Sequence, residues 1–191
     1  PNIALSLDGL TIVGIAPFEG DTLLQVGNTK ASLDLMSVIK GNQYKIKSVE
    51  ITDATLNAII NKEGFANWDI IKPSNDTTAS KPFILSLKKL SLKHINLFYD
   101  DLKGGTSLKV INFNHKGKGD FSSEILDYAS STNIEKISAS QGLVTYLKDA
   151  AINLESKLNI IDRQNGDYHQ LIEIELVANK PTNNRHTLDS K

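Results

Sequence analysis

Two fourteen-residue stretches constrain this chain more than anything else in it. "IKSVEITDATLNAI" (46–59) lies over "LKKLSLKHINLFYD" (87–100) without a gap. Val49 and Ile51 match Leu90 and Leu92, while Ala54 and Leu56 match Ile95 and Leu97. Apolar residues recur at every second position, the period of a strand with one buried face. In both copies that phase slips by one residue at the same place, Thr52-Asp53 in the first and Lys93-His94 in the second. Such a strand changes parity only through a bulge or a tight turn. The shared slip therefore predicts one backbone irregularity, made twice.

The alternation extends well beyond the repeat. Ile3, Leu5 and Leu7 begin it, and Leu10 to Ile15 continue it past Gly9. "APFEGD" (16–21) reads as a turn, followed by extended "TLLQVGNTKASLDL". "LMSVIKG" (35–41) breaks the rule: Asp34 can cap a short helical turn with Leu35, Val38 and Ile39 as its apolar residues, ended by Gly41. Between the repeats, the proline-bracketed polar tract "KPSNDTTASKP" (72–82) reads as a mobile loop. Further strands are expected at 106–116, 132–140, 152–161 and 168–178, whereas 142–151 ("GLVTYLKDAA") suits a short helix or a strand equally. In the tail 179–191 only Leu188 is strongly apolar, and flexibility is expected there. The residues thus predict a mainly β, antiparallel fold with one or two short helices in a single domain over 1–178.

Composition narrows the chemistry. Aromatics make up only 6% of the 191 residues, so Ile, Leu and Val must supply the apolar surface. A net charge of -1 argues against a nucleic-acid partner, which calls for a basic face to displace counterions. The absence of cysteine excludes disulfides and thiolate chemistry. No apolar run is long enough for a membrane-spanning helix, and no signal peptide stands at the front. Opening on Pro1, the sequence reads as a segment of something longer.

Candidate catalytic groups are few. His94, His115, His169 and His186 show no ligand-like spacing, so no metal site is expected. Asp100 and Asp101 are adjacent, which on a strand points them to opposite faces, and "LKGGT" after them marks a turn. "HKGKGDF" (115–121) lacks the loop and helix that cradle a phosphate. Without a GxSxG elbow either, no enzyme and no cofactor is expected.

The single tryptophan sits in "KEGFANWDII" (62–71), at the exit of a glycine turn. Together with the residues before it, "ASLDLMSVIKGNQYKIKSVEITDATLNAIINKEGFANWDI" resembles the AsmA-like family. Gly64, Asn67, Trp68 and Asp69 match its closing signature, and "PFEGDTL" and "GKGDF" are similar to its Bacteroidetes members. The resemblance implies a long, curved, open groove-like β-sheet in the periplasm, tethered to the inner membrane by an N-terminal helix outside this sequence. It also implies a part in outer-membrane biogenesis, with phospholipid or acyl chains, and other envelope proteins, as partners; the alternative is an assembly scaffold that carries no lipid. The signature residues are expected to be structural: Trp68 would cover the open end of the sheet while Asn67 and Asp69 satisfy backbone groups. Burying a sixteen-carbon chain is worth about 12 kcal/mol at about 0.8 per methylene. An open groove, exchanging like for like, would avoid holding it too firmly. Which strand face lines such a groove, and hence which residues touch lipid, is left open by the pattern.

Overall fold

The computed structural model describes residues 1–40, 44–70, 83–120 and 125–161. Seven strands form one sheet in chain order: β1 (Asn2–Val13), β2 (Thr22–Asp34), β3 (Tyr44–Ile60), β4 (Phe83–Asp101), β5 (Thr106–Asp120), β6 (Ile125–Gln141) and β7 (Val144–Ile161). The sheet does not close. One helix, α1 (Leu35–Lys40), joins β2 to β3. Asp34 does cap it, accepting the Ser37 N–H at 3.0 Å, while Lys47 Nζ lies 2.6 Å from the other carboxylate oxygen. The Ser37 hydroxyl donates to the Asp34 carbonyl and accepts the Lys45 N–H, which pins the helix to the start of β3.

The mainly β, open architecture matches the expectation, with one correction to its antiparallel character. β3 and β4 run parallel, while the other five pairs are antiparallel. The two repeat copies thereby lie side by side in the register of their sequence alignment, Val49 opposite Leu90 and Ala54 opposite Ile95. A parallel pair needs a crossover connection rather than a tight hairpin. The long chain between Ile60 and Phe83 supplies it. The ambiguous segment 142–151 resolves as a two-residue turn and the first half of β7. The expected mobile loop 72–82, the strand 168–178, the tail 179–191 and the helix-ending Gly41 lie outside the described residues.

At the slip positions the backbone does what the parity argument requires. Asp53 and His94 adopt positive φ, 58° and 53°, inside continuous strands. Gly9, Asn112 and Asp149 do the same in β1, β5 and β7. Gly27 faces the β3 slip, and a Cβ there would crowd the Asp53 Cβ at 3.1 Å. A residue in this left-handed conformation acts as a bulge and turns the alternation over. These positions form a line across the sheet. Its polar side chains hold it: His94 Nδ1 lies 2.9 Å from Asp53 Oδ1, Asn114 accepts the His94 N–H, and Asn96 accepts the Asn112 N–H.

Candidate functional site

Ladder partners share a face of a sheet, so the register assigns the faces directly. One row reads Leu10, Val26, Ala54, Ile95, Phe113, Ile134, Ile152 across all seven strands, lying beyond the slip on β1–β4 and just before it on β5–β7. The next reads Ile12, Leu24, Leu56, Leu97, Val110, Ile137, Ala150. Before the line, Leu5, Ala31, Val49 and Leu90 make one row, and Leu7, Thr29, Ile51 and Leu92 another. Because every strand slips, these rows fall on one continuous face. The burial pattern of β6 records the change: Tyr128, Ser130, Thr132 and Ile134 are half-buried, then Glu135 and Lys136 are both exposed, then Ile137 is half-buried.

The opposite face is polar. Ser6, Lys30, Glu50, Ser91, Lys116, Ser131 and Glu155 form one of its rows. Lys93 pairs with Glu50 at 3.4 Å, and Lys109 lies 5.8 Å from the centre of the Phe98 ring. The charges are solvated on one side while the aliphatic side chains gather on the other.

Nothing among the described residues forms a second layer over the aliphatic side. Each strand packs mainly against its neighbours in the order, and α1 packs mainly against β2 and β3. Among the described residues only Phe18, Leu23, Val26, Ala54 and Leu87 are buried and apolar. Leu5 and Leu7 stay about half exposed. A sheet ordinarily buries its apolar face against another layer; a large apolar surface left without one marks a place where something binds.

The signature residues sit at the far end of β3. There β2 has stopped, and the chain after Ile60 folds back along the edge it vacated, with Ile60 bridged to Ala66. Asn67 takes the place of the missing strand. Its Oδ1 accepts the Ile59 N–H at 2.9 Å, its Nδ2 donates to the Asn57 carbonyl at 2.7 Å, and its own N–H donates to the Ile59 carbonyl. At 2% exposure it is the most completely buried large side chain described. Gly64 turns the loop with a φ of 97°, where Asn61 accepts its N–H. Trp68 lies 6.3 Å from the Tyr99 ring, yet is 41% exposed. The Asp69 N–H bonds the Ala66 carbonyl, which closes the turn through its backbone.

Other sequence candidates are placed apart. Asp100 accepts the Ser107 hydroxyl, whereas Asp101 accepts the Lys103 and Gly104 N–H groups of the turn. These carboxylates belong to opposite faces. No group of three metal-ligating side chains occurs among the described residues. His169 and His186 lie outside them. His115 is the candidate the sequence undervalued. Its Nδ1 lies 2.8 Å from Thr132 Oγ1 and its Nε2 2.7 Å from the Tyr128 hydroxyl, on the aliphatic side. Burial lowers the His115 pKa and raises that of Tyr128, because each loses solvation of its charged form.

No helix among the described residues is long and apolar enough to cross a membrane. The family model of the AsmA family matches residues 1–178. No curated protein matches the chain, and no solved structure does.

Proposed function

The chain belongs to the AsmA family, and from that membership we propose that it is a non-enzymatic module of the bacterial envelope that handles phospholipid along the aliphatic face of its sheet. Membership is consistent with a role in outer-membrane biogenesis or lipid handling. The observation that carries the reading is the face itself: apolar rows seven strands wide, with no layer packed on them among the described residues. Seven strands at about 4.8 Å spacing give a surface about 29 Å wide. An acyl chain laid on it exchanges lipid neighbours for Leu, Ile and Val, so its free energy changes little along the path. A module of this kind works in the periplasm, tethered to the inner membrane through a helix outside this sequence, and uses no cofactor.

The experiment is uptake of labelled phospholipid by delipidated protein, followed by co-elution on a sizing column. The expected result is retention by the native chain and loss in a variant with Ile51→Asp and Ile95→Asp, which puts charge in the rows on either side of the slip line. No uptake by the folded native chain would contradict the proposal. One observation favours a second reading, an assembly scaffold: the β6–β7 turn presents a fully exposed Leu143 beside exposed Val144 and Tyr146. Capture of a defined envelope protein through that turn, without lipid uptake, would favour the scaffold.

A further inference from the structure

Part of the aliphatic side is not aliphatic. Before the slip line, the rows that begin with Leu5 and Leu7 on β1 reach Leu90 and Leu92 on β4, then continue onto β5–β7 as Gly117, Ser130, Ser156 and as His115, Thr132, Leu154. The hydrogen-bonding groups there are organised. His115 is held between Thr132 and Tyr128, and its ring stacks on Phe113 with planes 13° apart. Gly117 gives Tyr128 its place, since a Cβ at that position would collide with the Tyr128 ring and hydroxyl. The Ser130 and Ser156 hydroxyls lie 2.7 Å apart. One donates to the other, so the acceptor keeps its own O–H to give.

The patch bears no formal charge. Burial keeps the imidazole neutral and the phenol protonated at neutral pH. The lysines of the same strands, Lys116, Lys118 and Lys157, alternate onto the opposite face. A phosphate would be recognised by cations or converging N–H groups. A group of hydroxyls around a neutral imidazole instead matches acceptors and donors of its own kind. It also adjoins Leu90 and Leu92, one strand spacing of about 4.8 Å away.

Resting on the lipid-handling reading, we propose that the patch formed by His115, Tyr128, Thr132, Ser130 and Ser156 is a binding site for the uncharged oxygen groups of an amphiphile. Those are the ester carbonyls and hydroxyls of a glyceride-like backbone, while its hydrocarbon lies on the neighbouring Leu90 and Leu92. The patch sets where along the sheet an acyl glycerol rests, and it reads the junction between chain and headgroup rather than the headgroup.

The test compares two probes on the delipidated chain: dioctanoylglycerol and its dioctyl ether analogue, which has the same chains and hydroxyl but no ester carbonyl. Displacement of a fluorescent fatty acid gives Kd for each. The native chain is expected to prefer the ester about tenfold, the worth of one or two hydrogen bonds. Thr132→Val and, separately, the pair Ser130→Ala and Ser156→Ala should each shrink that preference to about twofold, weakening the ester more than the ether. Equal binding of both probes by the native chain would overturn the patch assignment and leave lipid handling intact. An undiminished ester preference in both folded variants would overturn it too. Binding of neither probe, with phospholipid uptake also absent, would remove the lipid-handling reading and this inference together.

Discussion

The sheet is built differently on the two sides of its slip line. The rows that begin at Leu10 and Ile12, which lie beyond the line on β1–β4, carry an apolar residue on every strand, from Leu10 on β1 to Ile152 on β7. Before it, the rows are aliphatic on β1–β4 except at Thr29, and on β5–β7 they carry Gly117, Ser130 and Ser156, then His115, Thr132 and Leu154. The ends differ as well. The far end of β3 is finished by the neutral Asn67 amide, and the near end by α1, whose cap Asp34 is charged and paired with Lys47. One pleated backbone thus supports a uniform greasy region and a divided one, and only side chains make the difference.

Asn67 offers the hardest way to break this arrangement. Asn67→Ala would leave an Ile59 N–H and an Asn57 carbonyl without their partners at a buried edge. The expected cost is about 3 kcal/mol in urea unfolding, from two orphaned backbone groups at about 1–3 kcal/mol each. Trp68→Ala should cost less, about 1–2 kcal/mol, because the ring is 41% exposed.

Next in size is a charge in the uniform region. Ile95→Asp should lower phospholipid affinity about 100-fold, or about 2.7 kcal/mol, because the carboxylate must stay wet where hydrocarbon should lie. Glu50→Gln, on the other face, should leave affinity within about twofold. Equal effects from the two positions would erase the distinction between faces.

The slip line itself can be tested at His94. His94→Val places a β-branched residue at a φ of 53° and removes the contact with Asp53. Thermal unfolding should report a loss of about 2 kcal/mol. His94→Gly relieves the backbone and should cost under about 1 kcal/mol. If Val is tolerated as well as Gly, the left-handed conformation is not what sets the parity.

Smallest is the acid response of the near end. The Lys47 side chain, then the Ser37 N–H, hold the Asp34 pKa down from 3.8 to about 2. Its folded pKa lies below its unfolded one, so its stabilisation is complete above about pH 4–5 and is lost as pH falls toward 2. Asp34→Asn should flatten the fall in melting temperature across that window. An unchanged slope would show that the clasp carries no linked proton.

Much of this plan was legible in the chain. The repeat exposed two of the left-handed positions, Asp53 and His94, because aliphatic residues flank both closely enough to reveal the change of phase. Asp149 escaped notice because "VTYLKDAA" has too little contrast around it, and the same slip made 142–151 look equally like helix or strand. The parallel pairing of β3 with β4 was illegible for a different reason. Parallel strands are usually covered on both faces and read as continuous apolar runs, whereas these alternate because one face meets water. "NW" marked a turn, yet nothing local could say that Asn67 would stand in for a strand, since that depends on where β2 stops. The partners of His115 come from β6, and pairing across strands is a tertiary choice.

A photocrosslinking pair tests the central claim most directly. A benzoylphenylalanine at Leu92, among the aliphatic rows, and another at Lys93, on the polar face, would be irradiated with the folded protein loaded with phospholipid. Strong lipid adducts from position 92 and few from position 93 are the predicted result. Comparable adducts from both, or adducts confined to position 93, would contradict it.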